Sequence, residues 1–143
     1  MDKTQAFILS HRNADIVQLA LQAKQHTDID LPWALQQIAG WQVARQKIPT
    51  WADIDNIQYP PHLSMEQCSS EATAKYKAQL ARRLCQQAER MVDLTGGLGV
   101  DTAFMSDVFD ETVYVEANAD LCRIAQNNFK TLRMKHIQSV CAD

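Results

Sequence analysis

The chain has 143 residues, 46% of them hydrophobic and 22% charged, which fits one domain, or a small domain with part of another, around a buried core. Its formal net charge of −3 excludes attraction of the whole surface to nucleic acid, though not a local basic face. No apolar run approaches the roughly 18 residues of a membrane span, and residues 1–5 lack a signal-peptide pattern. We therefore expect a cytoplasmic protein with no membrane partner.

The first ninety residues predict a series of helices. Asn13 is placed to cap a helix whose apolar residues between Ile16 and Ala23 cluster on one side. Asp30 is predicted to cap a second helix, with Pro32 in the first turn, where an N–H has no partner within the helix. Gly40 is predicted to weaken the middle of this helix, and Pro49 is predicted to end it. Its predicted buried stripe consists of Ala34, Leu35, Ile38 and Ala39.

A rigid connector precedes a longer predicted helix. Thr50 and Asp53 resemble a capping pair for a short helical turn, and residues 59–62 (Tyr-Pro-Pro-His) disfavour both helix and strand. The longer helix is predicted from about Ser70 to Ala88. Its basic side chains predict a solvated face rather than a groove for nucleic acid. The apolar face is predicted from the four-residue repeat of Ala72, Tyr76, Leu80 and Leu84.

The pattern changes after residue 89. Strands are predicted at Val92–Leu94, Val113–Val115 and Ile137–Val140, and helices at Asp101–Val108 and Ala119–Leu132. This β-α-β-α-β order is typical of a parallel sheet with right-handed crossovers. The predicted fold class is therefore α/β, with a helical domain at 1–88 and a partial sheet domain at 89–143. The boundary moves toward the connector if the preceding helix packs on the sheet.

The cysteines give no sign of a metal site. No C-x-x-C pair is present, and no histidine lies at ligand spacing from a cysteine. In a cytoplasmic protein we expect reduced, structural thiols at Cys68, Cys85, Cys122 and Cys141.

A glycine turn after the first predicted strand indicates a ligand site. Gly96, Gly97 and Gly99 lack a Cβ, so the backbone there can take positive φ and approach a ligand closely. The N–H groups that open the next helix suit a carboxylate or phosphate. Glu116 ends the second strand, where an acid can accept hydrogen bonds from both hydroxyls of a ribose.

Two further acids stand at strand ends. Asp93 can hold the glycine turn by accepting backbone N–H groups, or it can bind a ligand ammonium group. Asp143 follows the third strand, where a carboxylate can meet the exocyclic amine of an adenine. Either acid alone is more often a helix cap or a solvated turn residue, so the weight lies on their combination with Glu116.

Two cofactor classes fit this frame. Dinucleotide enzymes prefer G-x-G-x-x-G, whose third glycine is missing after Gly97-Leu98-Gly99. S-adenosylmethionine (SAM) carries an ammonium group, a carboxylate and a ribose but no phosphate. An acid at the position of Asp93 suits an amine better than a pyrophosphate, so charge matching favours SAM over NAD.

Residues 92–102 (VDLTGGLGVDT) resemble motif I of class I SAM-dependent methyltransferases, most closely the RNA-methylase branch that includes trimethylguanosine synthase. Thr95 stands where the common motif has its first glycine. Residues 63–77 resemble the S-x-T-P-E element that precedes motif I and helps close the pocket in that branch. The cofactor contacts that the resemblance implies are Asp93, Thr95, Gly96, Gly97, Gly99, Asp101, Thr102, Glu116, Asp143, Ser69 and Ser70. Ser70 followed by Glu71 also makes a good helix start whatever the function.

With its helical N-terminus, the chain is also similar to bacterial methyltransferases that carry a THUMP-like domain. The resemblance implies the N-terminal portion of a SAM-dependent methyltransferase, truncated after the third of seven strands and RNA-directed in the full-length protein. The [ND]-P-P-[YF] motif that orients an acceptor amine is missing, so we expect this portion to be inactive alone. We also expect self-association to cover the exposed sheet edge. The alternatives are a NAD- or nucleotide-binding oxidoreductase domain and a non-enzymatic helical interaction module.

Overall fold

The computed structural model describes residues 2–142, which form eight α-helices, a short 3-10 turn at Ala23–Gln25 and three β-strands. The helices are α1 (Lys3–Ser10), α2 (Ile16–Leu21), α3 (Leu31–Lys47), α4 (Pro49–Ala52), α5 (His62–Gln67), α6 (Glu71–Leu84), α7 (Val100–Ser106) and α8 (Ala119–Thr131). The strands are β1 (Arg90–Asp93), β2 (Glu111–Val115) and β3 (Ile137–Val140).

The three strands form one parallel sheet in the order β1-β2-β3, which confirms the predicted α/β class. Asp93 at the end of β1 is in register with Tyr114, and Val115 is in register with Val140. The carboxyl ends of β1 and β2 therefore meet at one edge of the sheet. Beyond β1, the Gly96 N–H still donates to the Val115 carbonyl, at 2.9 Å, so the glycine turn is tied to this edge.

Helix capping is partly as predicted. The Asp30 side chain accepts from the Trp33 N–H and starts α3, with Pro32 in the first turn. The predicted Asn13 cap is wrong, because Asp15 accepts from the Gln18 N–H and starts α2 two residues later. Asn13 instead accepts from the Arg45 guanidinium, at 3.0 Å.

The predicted Thr50–Asp53 capping pair is also wrong. Thr50 lies inside α4, and Asp53 follows the helix end. The hydrogen-bond acceptor for the start of this short helix comes from another helix, α6. The Glu71 carboxylate accepts from both the N–H and the hydroxyl of Thr50, each at 3.0 Å. Burial alone would raise the pKa of Glu71, but hydrogen bonds from Lys75 and Thr50 outweigh it and hold that pKa below its ordinary value.

The apolar face of α6 is not the predicted one. Tyr76, Leu80 and Leu84 are 63%, 41% and 72% exposed, whereas Ala74 and Ala78 are buried. This face packs against α7, where small side chains allow a close approach of two backbones. The helix also ends at Leu84 rather than near residue 88.

One hydrophobic core joins the helices to the sheet. It runs from Ala44, Trp51 and Met65 in the helical part to Tyr114 and Phe129 in the α/β part, and therefore crosses the predicted boundary at residue 88. A second cluster lies within the helices and includes Phe7, Leu19 and Ile38.

Gly40 has a packing role that its low helix propensity conceals. Helix α3 passes through it without a break, because a Cβ there would overlap the side chain of Tyr59. The predicted weak point is thus the place where residue 59 packs directly on the helix backbone.

The expectation of four reduced thiols is wrong for one pair. Cys122 and Cys141 form a disulfide, with a Cα–Cα separation of 5.7 Å that is ordinary for such a bond. The reason is that the buried first turns of α8 lie beside the residue that follows β3, a neighbourhood that chain spacing does not reveal. Cys68 and Cys85 are free thiols.

Strand β1 is an edge strand in the described part of the chain. Val92 within the strand and Leu94 directly after it are 49% and 74% exposed. Self-association over this edge stays a prediction. None of the helices within residues 2–142 is long and apolar enough to cross a bilayer.

Candidate cofactor-binding site

A cavity of about 480 Å³ opens at the carboxyl ends of β1 and β2, within the range usual for small-molecule sites. One wall is the glycine turn after β1 with the start of α7. The opposite wall is formed by α5, residues 68–69 and Lys77 in the middle of α6. Its lining residues are Ser64, Gln67, Cys68, Ser69, Lys77, Thr95, Gly96, Gly97, Leu98, Gly99, Val100, Asp101, Glu116 and Leu121.

The turn depends on glycine for two reasons, positive φ and close packing, and the three glycines differ in which applies. Gly97 and Gly99 have φ of +56° and +88°, in the left-handed region that side chains disfavour. A Cβ on Gly96 would overlap the ring of Tyr114, and one on Gly99 would press on Phe129. A Cβ on Gly97 would meet only the Thr95 carbonyl oxygen, at 3.9 Å, so at this residue the bare backbone faces open space.

Glu116 is fixed against this turn by two backbone donors. Its carboxylate accepts from the Gly97 N–H at 2.7 Å and from the Asn118 N–H at 2.9 Å. Each carboxylate oxygen has further lone-pair capacity, so the side chain can still accept hydrogen bonds from a ligand in the cavity. The predicted ribose acid is therefore held in place before any ligand binds.

Asp93 holds the turn from the other side. It accepts from the Thr95 N–H at 3.1 Å and from the buried Thr102 hydroxyl at 2.7 Å. The Tyr114 hydroxyl donates to the Gly97 carbonyl. Burial, with the nearby Glu116 and Asp93 charges, raises the pKa of Tyr114 above its ordinary value, so the phenol stays a neutral donor.

A basic and acidic pair joins the two walls, because Lys77 belongs to α6 and Asp101 to the first turn of α7, beside the glycine turn. The Lys77 ammonium donates to Asp101 at 2.7 Å and to the Ser69 hydroxyl at 3.1 Å, and Ser69 donates to the same Asp101 oxygen at 2.8 Å. The second oxygen, Asp101 Oδ1, is buried and has no partner. The cavity thus has one cationic group and an acceptor with unused capacity.

Sequence reasoning missed Lys77 as a site residue and placed it on a solvated face. Its spacing did carry a signal, because Lys77 follows Ala74 and precedes Ala78 on the small-residue face of α6. Ser64, Gln67, Cys68 and Leu121 were missed as well. Burial raises the pKa of Cys68, and its thiol donates to the Met65 carbonyl, which keeps it a structural group.

The structure brings most of the predicted site residues together. Three that do not line the cavity are Asp93, Thr102 and Ser70; the first two support the turn, and the Ser70 hydroxyl caps α6 by accepting from the Thr73 N–H. Asp143 lies outside the described residues. Those that line the cavity are Ser69, Thr95, Gly96, Gly97, Gly99, Asp101 and Glu116. Within residues 2–142, no cluster of three metal-ligating side chains occurs.

Comparison with known proteins supports the fold. A solved structure of a putative methyltransferase from Porphyromonas gingivalis W83 is similar to this chain, with a TM-score of 0.76 and 27% sequence identity over 97% of the chain. The chain spans 34% of that protein's length. No protein-family model and no curated protein matches the chain. The likeness supports a methyltransferase fold, of which this chain has the helical region and the first β-α-β-α-β part of the Rossmann-like sheet.

Proposed function

We propose that the cavity binds SAM and that the chain is the cofactor-binding half-site of a methyltransferase. The observation that carries this is the shared lining of one cavity by Glu116, the bare backbone of Gly97 and the Lys77–Asp101 pair. A diol, an amino group and a carboxylate each find a complementary partner there. The likeness to the Porphyromonas gingivalis protein supports the same conclusion.

Different residues of the cavity would bind different parts of the ligand. Glu116, fixed by the Gly97 and Asn118 N–H groups, would accept from the ribose hydroxyls. Lys77 would pair with the amino-acid carboxylate. The ammonium group would supply the donor that buried Asp101 Oδ1 lacks. This fit uses both signs of charge, as a zwitterionic amino acid requires.

When bound, SAM supplies an activated methyl group on a sulfonium centre. The contribution of this chain is to fix the ligand in one orientation, which lowers the entropic part of the barrier for transfer to a nucleophile held in line. Tyr114 and Asp93 serve that orientation by bracing the turn. A pyrophosphate is a poorer ligand, because Glu116 and Asp101 place two acids in the lining.

We also propose that the acceptor of the full-length protein is RNA. The support is the resemblance of residues 92–102 to the RNA-methylase branch and of the helical N-terminus to THUMP-like methyltransferases. Binding of RNA with an affinity that falls steeply with salt is the expected result. Binding that is absent at low salt would contradict it.

Isothermal titration with S-adenosylhomocysteine and, separately, NADH tests the cofactor. We expect saturable, one-to-one binding of S-adenosylhomocysteine and none of NADH. Saturable binding of NADH alone would reverse the proposal in favour of an oxidoreductase domain. Binding of neither ligand, with pull-down of a protein by residues 1–89, would favour a helical interaction module.

A further inference from the structure

A second cavity, of about 290 Å³, lies among the helices and shares no lining residue with the first. It is enclosed by α1, α3, α8 and the segment 56–59. Its lining includes Arg12, Trp33, Trp41, Gln58 and Tyr59.

Three buried polar atoms without a partner belong to residues that line this cavity. They are Arg12 Nε, Gln58 Oε1 and the Tyr59 hydroxyl, out of five such atoms in the described chain. Tyr59 is only 3% exposed. Buried polar groups are normally hydrogen-bonded, so three orphans around one cavity indicate a polar guest. The set comprises a donor, an acceptor and a hydroxyl that can act as either.

Two of the three orphaned groups, on Gln58 and Tyr59, belong to a segment whose backbone is held by side-chain amides. The Gln37 side-chain amide bonds both the N–H and the carbonyl of Tyr59, at 2.8 and 2.9 Å. The Asn128 amide does the same for Gln58, at 2.8 and 2.9 Å. The backbone that carries these two side chains is therefore held in one conformation before a ligand binds.

Two tryptophans and one arginine line the same cavity, and two further arginines lie against the tryptophan rings. Trp33 and Trp41 lie two turns apart on α3, and both line it. The guanidinium of Arg12 lies 5.2 Å from the Trp41 ring centroid, and that of Arg45 lies 5.0 Å from it. Arg123 lies 5.9 Å from the Trp33 ring.

The cationic side chains are only partly neutralised. Arg12 pairs with Asp55 at 3.1 Å, but that acid is largely exposed and therefore screened by water. Arg45 donates to the neutral Asn13 side chain. Positive charge is thus left at the rim for an anionic part of a ligand.

We infer that this cavity binds one nucleotide, with its base among Trp33, Gln58 and Tyr59 and its phosphate toward the arginines. A nucleobase edge places donors beside acceptors, as the Gln58 acceptor and the Tyr59 hydroxyl require, and its flat face suits a tryptophan wall. A peptide amide also offers one donor and one acceptor but has no phosphate for the arginines. The cavity volume suits a single nucleotide, which is either a free mononucleotide or an unpaired residue of an RNA strand.

Fluorescence titration of the whole chain with AMP, GMP, CMP, UMP and a single-stranded RNA decamer tests this, since two of its three tryptophans line the cavity. We expect saturable quenching by at least one mononucleotide. Tyr59→Phe should weaken that binding about three- to tenfold, the usual effect of one hydrogen bond. Gln58→Leu should weaken it similarly, while Tyr76→Phe, on an exposed tyrosine of α6, should not.

The same titration separates the two sources and the two cavities. An affinity for RNA at least tenfold above that for any mononucleotide assigns the ligand to RNA; equal affinities assign it to a free nucleotide. No quenching by any probe would overturn the inference, and the orphaned atoms would then bind ordered water only. Equal binding by wild type and Tyr59→Phe, or competition by S-adenosylhomocysteine, would also overturn it. Glu116→Ala should leave nucleotide binding to the second cavity unchanged. The proposals for the two cavities can therefore fail separately.

Discussion

Removing the Glu116 carboxylate should cost the first cavity most of its affinity for an adenosyl ligand. The side chain accepts from Gly97 and Asn118 and, on our proposal, from both ribose hydroxyls. Hydrogen bonds to a charged acceptor contribute about 1.5 to 3 kcal/mol each, and two that share one carboxylate add less than fully. We expect Glu116→Ala to lose about 2 to 4 kcal/mol of binding free energy, roughly 30- to 700-fold in Kd.

The same substitution should lower the unfolding free energy only modestly. The Gly97 and Asn118 N–H groups lose their acceptor, but Gly97 lines the open cavity and Asn118 is exposed, so water can replace the carboxylate and we expect a loss of about 1 kcal/mol. Glu116→Gln is not a neutral replacement, because one of its two ends would present an N–H₂ donor to a backbone donor. It should therefore also weaken binding.

Isothermal titration with S-adenosylhomocysteine measures the affinity, and circular dichroism confirms folding. The matched control is Glu111→Ala, at the opposite end of β2, where the acid forms an exposed ion pair with Arg90 of little energetic value. Its affinity should equal that of the wild type. A Glu116→Ala protein that is folded and binds within twofold of the wild type would refute the assignment.

Three further substitutions test other parts of the account. Gly97→Ala should lower the unfolding free energy by about 1 kcal/mol, because of the φ of +56° at this residue. It should lower the affinity for S-adenosylhomocysteine more than tenfold, because the added methyl group enters the cavity, and near-wild-type affinity would contradict this. Lys77→Met should weaken the binding of S-adenosylhomocysteine about five- to tenfold, since this ammonium group is partly exposed. The binding of 5′-methylthioadenosine, which has no carboxylate, should not change. Equal losses of affinity for both ligands would contradict the pairing of Lys77 with the ligand carboxylate. Glu71→Gln should cost about 1 to 2 kcal/mol at pH 7. Because the pKa of Glu71 is lowered in the folded protein, its contribution to stability is present above the ordinary carboxyl pKa of 4.5 and is lost as pH falls through the folded pKa. Denaturant unfolding from pH 7 to 3 should therefore show the unfolding free energies of the two proteins converge. A constant difference in unfolding free energy would contradict the pairing with Thr50.

The α/β half of the chain was predictable because its signals are local. Residues 137–140 form β3 as predicted, since this short segment follows α8 in a regular β-α-β-α-β order. The glycine turn was predictable for a similar reason: positive φ at Gly97 and Gly99 is a backbone requirement that the residue type reveals. Glu116 follows from its position at a strand end.

The parts that failed depend on contacts between distant segments. The pattern of Tyr76 and Leu80 at four-residue spacing favoured an apolar face, yet the small face of Ala74 and Ala78 is buried because α7 approaches closely. The wrong prediction of the apolar face also placed Lys77 on the solvent side of α6, so Lys77 was not predicted as a site residue. The short helix at 49–52 takes its hydrogen-bond acceptor from Glu71, about twenty residues later.

The disulfide and the second cavity had no sequence signal. The bond between residues 122 and 141 requires α8 to lie beside the end of β3. The second cavity gathers side chains from α1, α3, α8 and the segment 56–59, and its orphaned polar atoms are evident only after packing. Neither feature follows from residue types or their spacing along one element.

The most direct test of the central claim is an amide ¹H–¹⁵N NMR titration of the chain with S-adenosylhomocysteine. We expect the largest shifts on residues 95–99 and on the amides beside Glu116, and no shift in the segment 56–59. Saturation with no shifts at the glycine turn, or shifts confined to the second cavity, would contradict it.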